Sequence, residues 1–229
     1  MQIRRIVCWA LACAALFGAA GNARAQSEEV AVVRDASAVF TEIMTAPDKG
    51  ISKAILDRAE AIAVFPSLLR AAFIVGGQHG HGILSVRDKK TGGWSAPAFV
   101  TITGGSFGAQ VGGQSIDLVL VILNERGLNN LLRNEFKIGG EASAVAGPVG
   151  RSAEAATDVQ MRAQILSYSR SRGLFAGIAV NGSSVRSDEN ANLRVYGERY
   201  TTRDIAVDGK GGHPEAIALW KETLANYVK

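Results

Sequence analysis

Apolar residues recur at three- and four-residue steps near both ends of the chain and at two-residue steps in its middle. From Glu29 to Met44, Val33, Ala36, Phe40 and Ile43 share one side of a helix. Pro47-Asp48-Lys49-Gly50 is a turn cluster. A second, short helix follows, with Ser52 at its N-cap, Ile51 stapled onto Leu56, and an end near Ala61. The period then changes. "AIAVF", ending at Pro66, and "AAFIVGG", "GILSVRD" and "WSAPAFVTI" carry strand and hairpin signals. Gln78-His79-Gly80-His81 reads as a hairpin tip and Asp88 to Gly93 as a polar loop.

Further along, "SIDLVLVIL" is β-branched and extended, and Asn124 caps a helix through about Arg133 with Leu128, Leu131 and Leu132 on one side. "FKIGGEASAVAGPVG" is a small-residue strand or pair of strands, and residues 152–163 have no clear period, so loop and short helix both fit. "QILSYSRSRGLFAGIAVNGSSV" is extended, with a turn at Asn181-Gly182. A short helix near Asn190–Tyr196 stops at Gly197, and a last helix runs from Pro214 to Val228 with Ile217, Trp220, Leu224 and Tyr227 on its apolar side. Helices at both ends and sheet between them predict an α+β domain. Its sheet is mostly antiparallel and glycine-rich, strongly bent or a partial barrel, flanked by N- and C-terminal helices.

The glycines suggest what the sheet does. Residues 104–113, "GGSFGAQVGG", hold five of them. A phosphate loop would need a lysine and a serine or threonine after the last glycine; Gly112 is followed by Gly113 and Gln114. A dinucleotide fingerprint would open a helix, and here a strand follows. As a strand, Phe107, Ala109 and Val111 fall on one side and Ser106, Gly108, Gln110, Gly112 and Gln114 on the other, which is bare of bulk. Two readings explain a bare face: a helix of the same chain pressed onto it, or a groove for an elongated apolar ligand.

Charge and cysteine content narrow the setting. Arg4 and Arg5, an apolar run from Ile6 to about Ala20, and Ala23-Arg24-Ala25 make residues 1–25 a secretory signal peptide, too short in its apolar part for a bilayer span, leaving 26–229 as the mature domain. That segment holds three of the 25 basic residues and none of the 21 acids, so the remainder has 22 against 21, a net of +1. Such a balance argues against nucleic acid as a partner. Both cysteines, Cys8 and Cys13, also lie in the segment, which excludes a disulfide from the mature chain. The expected location is the periplasm, with an envelope association.

Candidate chemistry is sparse. Asp117 stands among apolar strand residues, where a carboxylate needs backbone N–H groups or an arginine. His79 and His81 supply half a metal site, and Ser152 and Ser167 lack the G-x-S-x-G setting of a nucleophile. No catalytic set, metal or cofactor is predicted. Cations do cluster: Lys49, Lys53 and Arg58 around the second helix with Arg70 after the next strand, Lys89 with Lys90, and Arg170 with Arg172 beside Tyr168.

Three ordered blocks, "GGSFGAQVGGQSIDLVLVILN", "FKIGGEASAVAGPVGR" and "YSRSRGLFAGIAVNG", strongly resemble the SYLF domain family, whose fungal members are also called actin-binding domains. The resemblance covers about Ala36 to Lys229. It implies a non-enzymatic module that binds lipid, phosphoinositides in eukaryotic members and actin filaments in fungal ones, with membrane contact near an N-terminal amphipathic helix. This chain departs from that pattern: the polar side of its first helix carries Glu28, Glu29, Asp35 and Glu42 against Arg34. Head-group binding is therefore assigned to Lys49, Lys53, Arg58 and Arg70. The expected partner is an anionic phospholipid or membrane surface, with envelope proteins as the alternative.

Overall fold

The computed structural model describes residues 27–228 apart from 47–49, 73–75, 107–111, 134, 141–142, 150–161, 172–173, 179 and 213. Helix α1 covers residues 27–45, and Val33, Ala36, Phe40 and Ile43 are all buried, as their spacing predicts. Helix α2, Lys53–Asp57, is shorter than expected. The Ser52 side chain makes no cap, and the Glu60 N–H already donates to the Ile122 carbonyl at 2.8 Å, so strand pairing takes the chain before another turn forms.

The strands are β1 (Ala61–Ala72), β2 (Gly76–Val86), β3 (Ala98–Ser106), β4 (Gly112–Ile122), β5 (Glu135–Lys137), β6 (Ala144–Ala146), β7 (Ile165–Ser171), β8 (Leu174–Gly177) and β9 (Ser183–Ser187). They form one sheet in the order β5-β9-β3-β2-β1-β4-β7-β6, curled into a half-barrel, with β8 also on β7. Every pairing is antiparallel except β6 with β7. This is the α+β architecture the sequence predicts.

Both sheet faces are apolar near the helical end, which is why β1 and β4 read as continuous hydrophobic runs. Ile62, Val64, Val119, Val121 and Leu166 join a cluster under α1, α2 and the C-terminal helix α6 (Ala218–Tyr227). Ala63, Phe65, Leu118, Leu120 and Ile122 join a second cluster on the other face, closed by helix α3 (Glu125–Leu131) and Phe136 of β5. Within the first cluster Phe40 meets Trp220 edge-on at 5.7 Å, and the Trp220 indole N–H donates to the Ser85 hydroxyl at 2.9 Å. The terminal helices thus bind each other as well as the sheet.

β1 does not end at Pro66. It continues to Ala72 through an irregularity at which the register shifts between Phe65 and Leu68 against β4. Proline has no N–H to pair, and Ser67 beyond it sits at φ 55°, a left-handed conformation that is costly for serine. The Ser67 N–H finds its acceptor in the Asp117 carboxylate at 3.0 Å. The other Asp117 oxygen takes Arg170 at 3.0 Å, and Arg170 also pairs with Glu42 of α1. The predicted need of Asp117 for an N–H and an arginine is met, and its role is to hold a bulge.

Several of the described glycines admit a close neighbour. A Cβ on Gly80 would come within 2.9 Å of Leu68, one on Gly82 within 2.6 Å of the Phe65 ring, and one on Gly104 within 2.7 Å of Ser183. The close neighbour at these three positions is the adjoining strand, drawn in by the bulge and the curl, whereas a Cβ on Gly113 would meet nothing within 4 Å. Residues 107–111 of the glycine stretch lie outside the described residues.

The remaining helices follow their signals with one addition. Asn124 accepts from the Gly127 N–H at 2.9 Å and caps α3. Helix α4, Glu189–Tyr196, is capped by Asp188 and stopped by Gly197 at φ 83°. Thr201 and Asp204 form a reciprocal capping box for α5, Thr202–Ala206, a helix absent from the sequence reading although Thr-x-x-Asp is its written signature. Glu215–Ile217 is a single 3-10 turn leading into α6.

Candidate functional site

The cations assigned to head-group binding fall in two places. Lys49 lies outside the described residues. Lys53 is exposed on α2 and pairs with Asp57 at 2.6 Å; Arg58 is exposed at the end of the same helix. Arg70 is remote from both. It stands nine positions after Ala61 on β1, roughly 30 Å at strand rise. Its Nε donates to the Gln78 side chain at 2.9 Å, and burial lowers its pKa below the usual guanidinium value. The structure therefore brings Lys53 and Arg58 together and leaves Arg70 at the opposite end of the sheet.

The acidic side of α1 is partly inward. Glu29 is 4% exposed and accepts two bonds from Arg194 of α4, at 2.8 and 2.5 Å. This contact raises the Arg194 pKa. With Glu42 on Arg170, acids toward both ends of α1 latch it to the body, while its apolar side fills the core. His79 and His81 are in the middle of β2, not at a hairpin tip, because that strand runs back to Gly76. Their rings meet edge-on at 5.1 Å, and His81 Nδ1 lies 3.3 Å from Asp188. Among the described residues no three His, Cys, Asp or Glu side chains gather as a metal site.

A concave feature among the described residues lies elsewhere. A pocket of about 940 Å³ opens between the β2–β3 hairpin and the C-terminal helices. Its apolar floor is Val86, Trp94, Ala96, Leu128, Ile205 and Val228, all buried. The hairpin wall is tightly built. Arg87 and Trp94 form an isolated bridge, and the Arg87 guanidinium lies over the indole at 5.0 Å. Arg87 Nη2 donates to the Leu56 carbonyl at 2.9 Å, tying this wall to the end of α2. Thus Lys53 and Arg58 share an end of the molecule with the pocket.

The charges around the pocket are mostly committed. Asp88 accepts from the Lys90 N–H at 2.8 Å and the Thr91 hydroxyl at 2.9 Å, which lowers its pKa. Lys89 is held by Glu125 and, at 3.6 Å, by Glu60; the hydrogen bond to Glu125 raises its pKa. Lys221 of α6 lines the pocket without an ion-pair partner among the described residues. Two buried donors on the hairpin wall, Arg87 Nε and Trp94 Nε1, have no acceptor. Sequence reasoning missed Arg87, Trp94 and Lys221. Trp94 is visible at the start of a strand, but nothing in the sequence pairs it with a lysine 127 positions later.

Comparison with known proteins places this geometry in a family. The pattern of the Ysc84 family, described as "Las17-binding protein actin regulator", matches residues 103–227. Protein YSC84 of Saccharomyces cerevisiae is 36% identical over 163 residues, covering 69% of this chain and 34% of that protein. LAS seventeen-binding protein 3 of the same species is 35% identical over 175 residues, covering 74% and 37%. Human SH3 domain-containing YSC84-like protein 1 is 31% identical over 169 residues, covering 72% and 49%. The chain spans about a third to a half of the length of the curated relatives it matches. A family match over residues 103–227, with relatives aligned over more than two thirds of the chain, makes this chain a member of the Ysc84, or SYLF, family.

Proposed function

We propose that this protein is an exported, non-enzymatic lipid-binding protein that works at a phospholipid surface in the bacterial envelope. The observation that carries the reading is the pocket beside Trp94, whose apolar floor is large enough for an acyl chain and whose open rim offers Lys221. The exposed cations Lys53 and Arg58 stand at the same end. Each is worth about 1 kcal/mol near an anionic surface, and residues 1–25 supply the export signal.

The purified mature chain should co-sediment with phosphatidylglycerol vesicles at low salt. Lys53→Glu with Arg58→Glu should weaken the association by more than tenfold. Vesicles that leave the protein in the supernatant at low salt contradict the reading.

A second reading has its own support. The family is described as "Las17-binding protein actin regulator" and a relative is named LAS seventeen-binding protein 3, so the domain here is a candidate protein-interaction module, with envelope proteins as partners. The short outer strands β5 and β8 offer edges for it. Affinity capture giving one stoichiometric protein and no lipid favours this second reading.

A further inference from the structure

We propose that the pocket beside Trp94 holds a single-chain anionic amphiphile, with its charged oxygens at Arg87, Trp94 and Lys221 and its chain along the apolar floor. The inference rests on the lipid-binding reading and adds the ligand class and the groups that hold it.

The polar groups left over on this wall are all donors. Arg87 Nε and Trp94 Nε1 are buried and lack an acceptor, and Lys221 lacks a counter-ion. Guanidinium, indole and ammonium groups donate and do not accept. A buried donor without an acceptor is costly, and here two adjoin on one side of one pocket. The head that satisfies them brings oxygens and negative charge: a carboxylate or a phosphate.

The acid on the wall does not serve. Asp88 closes its own turn through Lys90 and Thr91. Lys89 is likewise occupied by Glu60 and Glu125, so Lys221 is the lining lysine left to meet a ligand charge. Trp94 is 8% exposed and its Nε1 is buried, so the head meets this N–H only when the indole turns outward.

The floor decides the rest of the ligand. Val86, Leu128, Ile205 and Val228 present no polar side-chain atom, which suits a methylene chain. A volume of about 940 Å³ is near the top of the range for pockets that enclose a drug-sized ligand. A single-chain acid fits within it along the apolar floor.

Calorimetric titration of the mature chain with sodium dodecanoate, kept below its micelle concentration, tests the assignment beside phosphatidylglycerol vesicles. Saturable binding of one dodecanoate per chain is expected, with the neutral dodecyl maltoside at least tenfold weaker. Lys221→Glu should weaken dodecanoate at least tenfold, and Trp94→Phe, which keeps the ring and removes the donor, severalfold. Ala225→Trp, at a lining position on the exposed side of α6, should block the pocket and abolish binding. Lys221 and Ala225 are outside the core, so these variants keep the wild-type circular dichroism and melting profile. Dodecanoate binding unchanged in both places the ligand elsewhere and overturns the proposal. Vesicle binding without dodecanoate binding also overturns it and leaves the lipid-binding reading standing. Silence toward both removes the two together.

Discussion

Gly82→Ala and Gly113→Ala are the same change on the two strands that flank β1, and they should have opposite signs. Alanine ordinarily stabilises an extended segment over glycine by about 0.4–1 kcal/mol, because it narrows the unfolded ensemble. At Gly113 a new Cβ meets nothing within 4 Å, so that gain should appear. At Gly82 the Cβ would press on the Val64 carbonyl and reach the Phe65 ring at 2.6 Å. Neither neighbour can retreat: Val64 and Phe65 are fully buried, and the bulge beyond them is fixed by Asp117. Overpacking of a rigid core costs about 1–3 kcal/mol, and contact with backbone places this case at the upper end. The expected gap between the two variants is therefore about 3 kcal/mol. Urea unfolding followed by far-ultraviolet circular dichroism measures it as a shift in midpoint at constant slope. Equal midpoints for the two variants would refute the claim that the glycines admit a close strand.

Arg194→Ala strands the buried Glu29 carboxylate and should cost about 2–4 kcal/mol, less than a fully buried pair because Arg194 is partly exposed; Glu29→Gln with Arg194→Met should recover most of it, read by the same unfolding curves. Asp117→Ala removes the acceptor of the Ser67 N–H and the partner of Arg170, for an expected loss of about 2–3 kcal/mol, with hydrogen exchange quickened at Ser67 and Leu68. Asp204 has its pKa lowered to about 2, chiefly by Lys210 and then by Thr201. Its contribution is therefore fully present above pH 4 and is lost as the pH falls toward 2. The stability difference between wild type and Asp204→Asn should shrink through that window and vanish below it.

The elements with long, regular periods were legible in the sequence. Val33, Ala36, Phe40 and Ile43 announce α1, Ile217, Trp220 and Leu224 announce the C-terminal helix, and Asn124 and Gly197 mark helix ends by their own chemistry. What stayed hidden depends on contacts distant in sequence. Pro66 reads as a strand end because its missing N–H is visible, while the Asp117 oxygen that rescues the next residue is 50 positions away. The acids of α1 look like a solvated side until Arg170 and Arg194 arrive from β7 and α4. The pocket was the least legible feature, since it joins a hairpin, α3, α5 and α6, and its open donors emerge only after the other polar groups have found partners.

The most direct measurement is native mass spectrometry of the protein extracted gently from the envelope of a Gram-negative host that expresses the full chain. The wild type should carry about one lipid molecule per chain, acidic and released on denaturation, and Ala225→Trp prepared identically should carry none. A lipid-free wild type, or lipid retained equally by both, would contradict the account.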